Sequence, residues 1–301
     1  MTDSPAGYVV TVGDGNRVHF QDWGGPEGPP GGGAGVGVLL VHGLSQTSWI
    51  WAPVARRLAH EVRTVAMDLR GHGLSDAPTE DGSYDLEVLA GDVEAAAEGS
   101  GLLDGPADRV VLAGHGFGAI VAASAAARLG VRCAGLVLVD GGWERLETAT
   151  GMDVDEFLRG MDEPPEVMAS MRAFLRDRRG FDPATWDDDQ DRAARATVVE
   201  THAGRVVPAT RPHALEASVR AMFRYDKAVA LGAVAAAAVA VIASTGDADG
   251  DAVRRTALAD ASSARVSAGR APIAVIDAGG YGHNLMRYRP DVVTAAILSV
   301  S

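Results

Sequence analysis

Arg109-Val-Val-Leu-Ala-Gly114-His115-Gly116-Phe117-Gly118-Ala119 reads as a short apolar strand, a glycine-rich turn and the start of an Ala-rich helix. A strand–turn–helix of this kind, written G-x-S-x-G, lifts a serine hydroxyl above the end of a sheet. Here the central position is Gly116, which has no side chain to attack with. The turn is strained, often with positive φ, and glycine tolerates that geometry better than any other residue. The turn therefore survives while a serine mechanism does not.

Working outward, three further segments follow apolar runs. His42-Gly43-Leu44-Ser45 comes after Val36-Gly-Val-Leu-Leu-Val41. Asp68-Leu69-Arg70-Gly71-His72-Gly73-Leu74-Ser75-Asp76 follows the run 63–67, and Asp277-Ala-Gly-Gly-Tyr281-Gly282-His283-Asn284 follows the run 273–276. Taken in order, between residues 7 and 300, these motifs resemble the α/β-hydrolase family. The resemblance makes His42–Ser45 an oxyanion loop, Gly116 the nucleophile position and His283 the catalytic histidine.

Strand-like runs at 8–12, 17–22, 36–41, 63–67, 109–113, 135–139, 237–243 and 273–276 alternate with helical patterns. The helical patterns lie at 51–60, 86–98, 117–129, 251–261 and 284–298. From Val36 onward the strands are nearly continuous apolar stretches, the mark of parallel strands covered on both faces. An α/β fold follows: a mostly parallel central sheet with helices on both faces. The first two runs suit an antiparallel hairpin across Gly13-Asp14-Gly15. Residues 24–37 are rich in Gly and Pro and read as a surface connection. Residues 142–226 break the alternation, with helical patterns at 154–159, 165–178, 188–201 and 212–223. They form the expected helical cap, inserted in a core of residues 1–141 and 227–301; a cap of this kind excludes water from a pocket.

Composition bounds the function. The chain has 301 residues, 47% hydrophobic and 22% charged, and a net charge of −13. That charge argues against nucleic acid or an anionic membrane surface as a partner. Lys227 is the one lysine among 27 basic residues. Cys133 is the one cysteine, which rules out an intrachain disulfide and a thiolate cluster, and it suits a buried strand position. The N-terminus lacks the basic and apolar regions of a signal peptide, and no apolar stretch is long enough to span a bilayer. A cytoplasmic protein is expected. The histidines show no metal-ligand spacing, and Gly114-x-Gly116-x-Gly118 lacks the last glycine of a dinucleotide fingerprint. No metal or cofactor is expected.

Ligands of open α/β sheets bind beyond the carboxyl ends of the strands, so the residues placed there carry the candidate chemistry. His283, on a glycine-rich loop, is the proton carrier. Its orienting acid is either Asp249, in Thr245-Gly-Asp247-Ala-Asp249 after the seventh principal strand, or Asp140, ending Leu136-Val-Leu-Val-Asp140. Asp247 is a third option, although both Asp247 and Asp249 also suit the cap of a helix starting near residue 251. Asp140 has a further option, attacking an electrophilic carbon itself to form an ester intermediate. The backbone N–H groups of Leu44 and Phe117 are the expected oxyanion donors. Trp143, Trp186, Tyr225 and Tyr281 are candidate donors or pocket residues.

The expected function is that of a cofactor-independent hydrolase acting on a small apolar molecule of secondary metabolism. It opens an epoxide or an activated ester without a serine nucleophile, as a monomer or a homodimer. The alternatives are a cofactor-free lyase or isomerase using His283, and a binding protein that kept the pocket without the chemistry. In a fourth reading Gly116 is an engineered replacement of serine in an ordinary esterase.

Overall fold

The computed structural model describes residues 4–26, 35–161, 167–280 and 282–301. Part of the Gly/Pro-rich connection, the start of the helix expected at 165–178, and Tyr281 lie outside the described residues. The strands of the main sheet are β1 (Ala6–Thr11), β2 (Arg17–Gly24), β3 (Val36–Val41), β4 (Thr64–Met67), β5 (Arg109–His115) and β6 (Cys133–Val139). After a two-stranded hairpin, β7 (Val198–Glu200) and β8 (Val206–Pro208), the main sheet resumes with β9 (Ala237–Ile242) and β10 (Ala274–Asp277). Its order is β1-β2-β4-β3-β5-β6-β9-β10, with β2 antiparallel to both its neighbours and all later pairs parallel.

The unbroken apolar runs split by the two-residue period of a strand. Leu39, Val41, Leu112, Leu136 and Leu138 face one layer. Val38, Leu40, Val111, Val137 and Val139 face the other. The first layer is closed by α2 (Leu86–Gly99) and α3 (Phe117–Leu129), through Leu89, Val93, Val121 and Ala122. The second is closed by α1 (Ala52–Leu58) and the C-terminal helix, through Val54, Leu58, Val293 and Ile297.

Between β6 and β9 the described residues add no strand to the main sheet. It forms α4 (Leu146–Thr150), α5 (Val154–Met161), α6 (Met171–Phe181), α7 (Asp188–Ala196), the hairpin and α8 (Pro212–Arg224). Phe174, Leu175 and Val206 make a small apolar cluster of their own. The helix expected at 188–201 stops at Ala196, and Val198 and Val199 enter the hairpin instead. β-branched side chains favour that pleated setting.

After α9 (Lys227–Ala233) and β9 comes α10 (Ala248–Ser267), longer than the sequence pattern at 251–261 predicts. The helix expected at 284–298 is two: α11 (Leu285–Tyr288) and α12 (Pro290–Leu298). Arg289, with φ −136° and ψ 54°, separates them. Proline disfavours helical geometry in the residue before it and itself suits a helix start.

Candidate active site

The carboxyl ends of β5 and β6 and the loop after β10 converge on one point. Gly116 leaves β5 with φ 53° and ψ −116°, and α3 begins at the next residue. Its N–H donates to Val139 O at 3.1 Å, which ties the turn to β6. Gly118 allows a close approach here: a Cβ on it would collide with the carbonyl oxygens of Val41 and His42. The glycine spacing around the turn is thus a packing requirement between α3 and the end of β3.

Asp140 follows β6 with φ 49°, one of two non-glycine residues at positive φ among the described residues. The carboxylate is buried and fully engaged. Oδ1 accepts from Ala243 N at 2.9 Å and from Arg254 Nη2 at 2.7 Å. Oδ2 accepts from His283 Nδ1 at 2.6 Å. Burial pushes the carboxyl pKa up, but the His283 hydrogen bond, the Arg254 charge and the Ala243 N–H together hold it below the ordinary value. Asp140 is therefore an anion at neutral pH, and it sets the histidine tautomer. With Nδ1 carrying the hydrogen, His283 Nε2 is a lone-pair acceptor.

That nitrogen points at the empty side of the turn. A Cβ placed on Gly116 would stand 3.2 Å from His283 Nε2. The ring is 58% exposed and rests on His115, with ring centroids 4.3 Å apart. His115 is buried; it places Nδ1 3.0 Å from Gln46 Oε1 and Nε2 3.0 Å from His283 O. Burial, with His283 beside it, drives the His115 pKa down to about 3, so this ring is neutral. Gln46 also accepts from Gly43 N and donates to Asn284, so one amide connects the two loops flanking the imidazole.

The loop at residues 42–45 is held by neutral histidines. His42 donates from Nδ1 to Gly43 O and accepts from Leu69 N–H at Nε2, 3.0 Å away. His72 accepts from Ser45 N–H at 3.2 Å, and burial together with His42 pushes its pKa down to about 3. Asp68 accepts from His19 Nδ1 and from Ser48 N–H, so the Asp68–Asp76 motif is a brace for the loop. Phe117 opens α3, where an N–H has no helical acceptor. Leu44 and Phe117 N–H have no hydrogen-bond acceptor among the described residues.

The other expected site residues separate. Asp249 is exposed in the first turn of α10 and does not meet His283; its N–H donates to Asp247 Oδ1. Asp247 is the α10 cap, accepting from Asp249 and Gly250 N–H. Helix N-terminal amides claim the Asp247 carboxylate and leave that of Asp249 exposed. Trp143 is fully buried beneath Arg254, and Tyr225 is buried with its hydroxyl donating to Gly142 O at 3.0 Å, so neither presents a donor to a ligand. Trp186 lines a cavity of about 580 Å³, open to solvent, between the core loops 45–50 and 284–288 and residues 168–215. Arg254, His115 and Gln46 are site residues the sequence reading did not single out. His115 had a local signal, its place beside Gly116; Arg254 reaches Asp140 across 114 residues and had none.

Among the described residues no group of three or more His, Cys, Asp or Glu is placed to hold a metal, and no helix is long and apolar enough to cross a membrane.

Residues 38–296 match the alpha/beta hydrolase family. The chain is 38% identical over 140 residues to N-formylmaleamate deformylase of Pseudomonas putida, covering 46% of this chain and 47% of that protein. It is 33% identical over 122 residues to epoxide hydrolase 3 of Xenopus tropicalis, covering 40% of this chain and 30% of that one. These matches span less than half the length of either relative. The solved structure of E-2-(acetamidomethylene)succinate hydrolase superposes with a TM-score of 0.75 at 21% identity, over 98% of both chains. At that identity the likeness is one of fold.

Proposed function

Because the chain belongs to the alpha/beta hydrolase family, we propose that it is a cofactor-independent hydrolase in which His283, held by Asp140, activates water. The single observation that carries this reading is the aim of His283 Nε2 at the side-chain-free position 116. A water there gives its proton to Nε2 while its oxygen adds to a polarised carbonyl carbon. Leu44 and Phe117 N–H hold the oxyanion. The imidazolium then returns the proton to the departing oxygen or nitrogen, leaving a carboxylic acid and an alcohol or amine. Asp140 stabilises the imidazolium and is not consumed.

Of the two roles open to Asp140, the geometry favours the orienting acid. Both its oxygens accept hydrogen bonds and the group is 4% exposed, which leaves it poorly placed to reach a substrate carbon. An epoxide-opening route through Asp140 would require breaking its contacts to Arg254 and His283. Hydrolysis of an ester or an activated amide needs no such change, and the similarity to a deformylase supports the same bond class.

A single turnover in ¹⁸O-labelled water on a p-nitrophenyl ester tests the proposal. Label goes straight into the released acid, none into the Asp140 peptide, and His283→Ala loses the activity. Label in Asp140 would return the carboxylate to the role of nucleophile. Full activity in His283→Ala would remove the histidine from the mechanism.

A further inference from the structure

The cavity beside the site has an uneven charge. The chain carries 40 acidic and 27 basic residues. Among the described residues that line the cavity there is no Asp or Glu, and the charged groups are Arg178 and Arg287. The remaining wall is largely apolar, with Ile50, Met168, Phe174 and Val206 among its members.

Arg287 lies on α11, four residues after His283. Its Nε donates to Thr185 Oγ1 at 2.8 Å and its Nη2 to Asp182 O at 2.9 Å. These two neutral acceptors fix the guanidinium plane without cancelling its charge. The Asp182 carboxylate accepts from the Thr185 hydroxyl at 2.9 Å; that bond and the nearby Arg287 charge hold its pKa down, so Asp182 offsets the guanidinium charge in part, without a direct ion pair. The Trp186 and Tyr288 rings lie 5.9 and 5.3 Å from the guanidinium carbon. Such a group presents its remaining N–H donors to the cavity at little ordering cost, which suits a planar carboxylate.

A second feature points the same way. Thr47 lines the same cavity and is 3% exposed, and its Oγ1 has no hydrogen-bond partner among the described residues. A buried hydroxyl without a partner costs free energy that a bound acceptor recovers. Thr47 lies on the same seam as Arg287: its neighbour Gln46 bonds Asn284, and α11 packs on the turn Ser48–Trp51.

We propose that the cavity binds a small amphipathic acid, its carboxylate held by Arg287 and Thr47 and its apolar body lying along the wall. Arg178, on α6 and 4.0 Å from the Asp177 carboxylate, adds a partly offset positive charge. The inference rests on the hydrolase reading in one respect: the acid's scissile carbonyl then extends toward His283. The substrate class is an ester or amide that carries a second, free carboxylate.

Calorimetric titration with phenylalkanoates and n-alkanoates, each paired with its primary amide, tests this without turnover. In the wild type the acid of at least one pair binds at least tenfold tighter than its amide, and high salt narrows the gap. Arg287→Gln removes the preference, and Arg287→Lys retains part of it. Thr185→Val reduces it without abolishing it, because that change loosens the guanidinium but leaves the charge. Thr47→Val weakens the acid severalfold and leaves the amide unchanged. If every acid and amide bind alike in the wild type, or if folded Arg287→Gln keeps the preference, the proposal fails. Should Arg287→Gln not fold, the wild-type pairs and the lysine variant decide alone. Hydrolysis of a neutral ester is measured separately, so losing the water mechanism would leave the carboxylate site standing, and the reverse.

Discussion

His283 Nε2 stands 3.2 Å from the point where a Cβ would sit on Gly116. The imidazole already occupies hydrogen-bonding range of a nucleophile that the chain does not supply.

Gly116→Ser should therefore create ester hydrolysis rather than merely fill space. The new hydroxyl meets His283 Nε2, with the Leu44 and Phe117 N–H groups in place. We expect p-nitrophenyl acetate hydrolysis to rise about 10²-fold, the low end of what a positioned base supplies. A burst of nitrophenol, from the acyl intermediate, is the measurement. The variant should lose about 1–3 kcal/mol of stability, because a side chain at φ 53° is strained. A folded variant with no gain would mean that the pocket does not seat an acyl group over the turn.

Arg254 is a positioning residue, acting on His283 through Asp140. Arg254→Met removes the partner of Oδ1, and the Asp140 carboxyl pKa should rise, since the Arg254 charge is among the causes that hold it down. The acid limb of the pH–rate profile should move toward neutrality and kcat should fall about tenfold, with KM near the wild-type value. An unchanged pH profile would confine Arg254 to a structural role.

Asp140→Ala should cost stability as well as rate. The carboxylate is buried against Arg254, whose side chain is 17% exposed, so its removal leaves a partly buried cation short of a partner. A loss of about 2–4 kcal/mol is expected, below that for a wholly buried pair because Arg254 keeps Glu144 at 2.8 Å. Urea unfolding measures it. Asp249→Asn, by contrast, should leave both kcat and the unfolding midpoint within experimental scatter.

Acid should destabilise the protein through two buried imidazoles. His72 and His115 are neutral in the folded state, both pushed down to about 3. An unfolded chain protonates them below about 6.5, whereas the folded chain does so only near 3. The unfolded state binds more protons in that window, so stability falls as pH drops through it. The slope approaches about 1.4 kcal/mol per pH unit for each histidine. His115→Gln should flatten the dependence by one proton, measured by urea unfolding between pH 7 and 4.5. A slope identical to that of the wild type would show that His115 is already charged when folded.

Much of the architecture was open to reading because its causes are local. Continuous apolar runs announced the parallel strands, and the turn around Gly116 announced the strand-to-helix junction and the missing nucleophile within eleven residues. The Arg289-Pro290 break and the β7–β8 hairpin were missed, since a helical period continues across the first and runs into β7, and only local backbone sterics and β-branched side chains overrule it.

The partner of His283 was of a different kind. Asp140, Asp247 and Asp249 all follow strands, and although the helix start near residue 251 offered Asp247 and Asp249 a capping role, nothing local decided which carboxylate meets His283. Strand order places β6 beside β9 and β9 beside β10, which carries His283 back over Asp140 across 143 residues. The start of α10 meanwhile draws Asp247 to its free amides and leaves Asp249 facing solvent. Arg254, reaching down from the same helix, completes the anion's surroundings. Contacts of that range depend on how elements stack, and short-range periodicity carries no record of them.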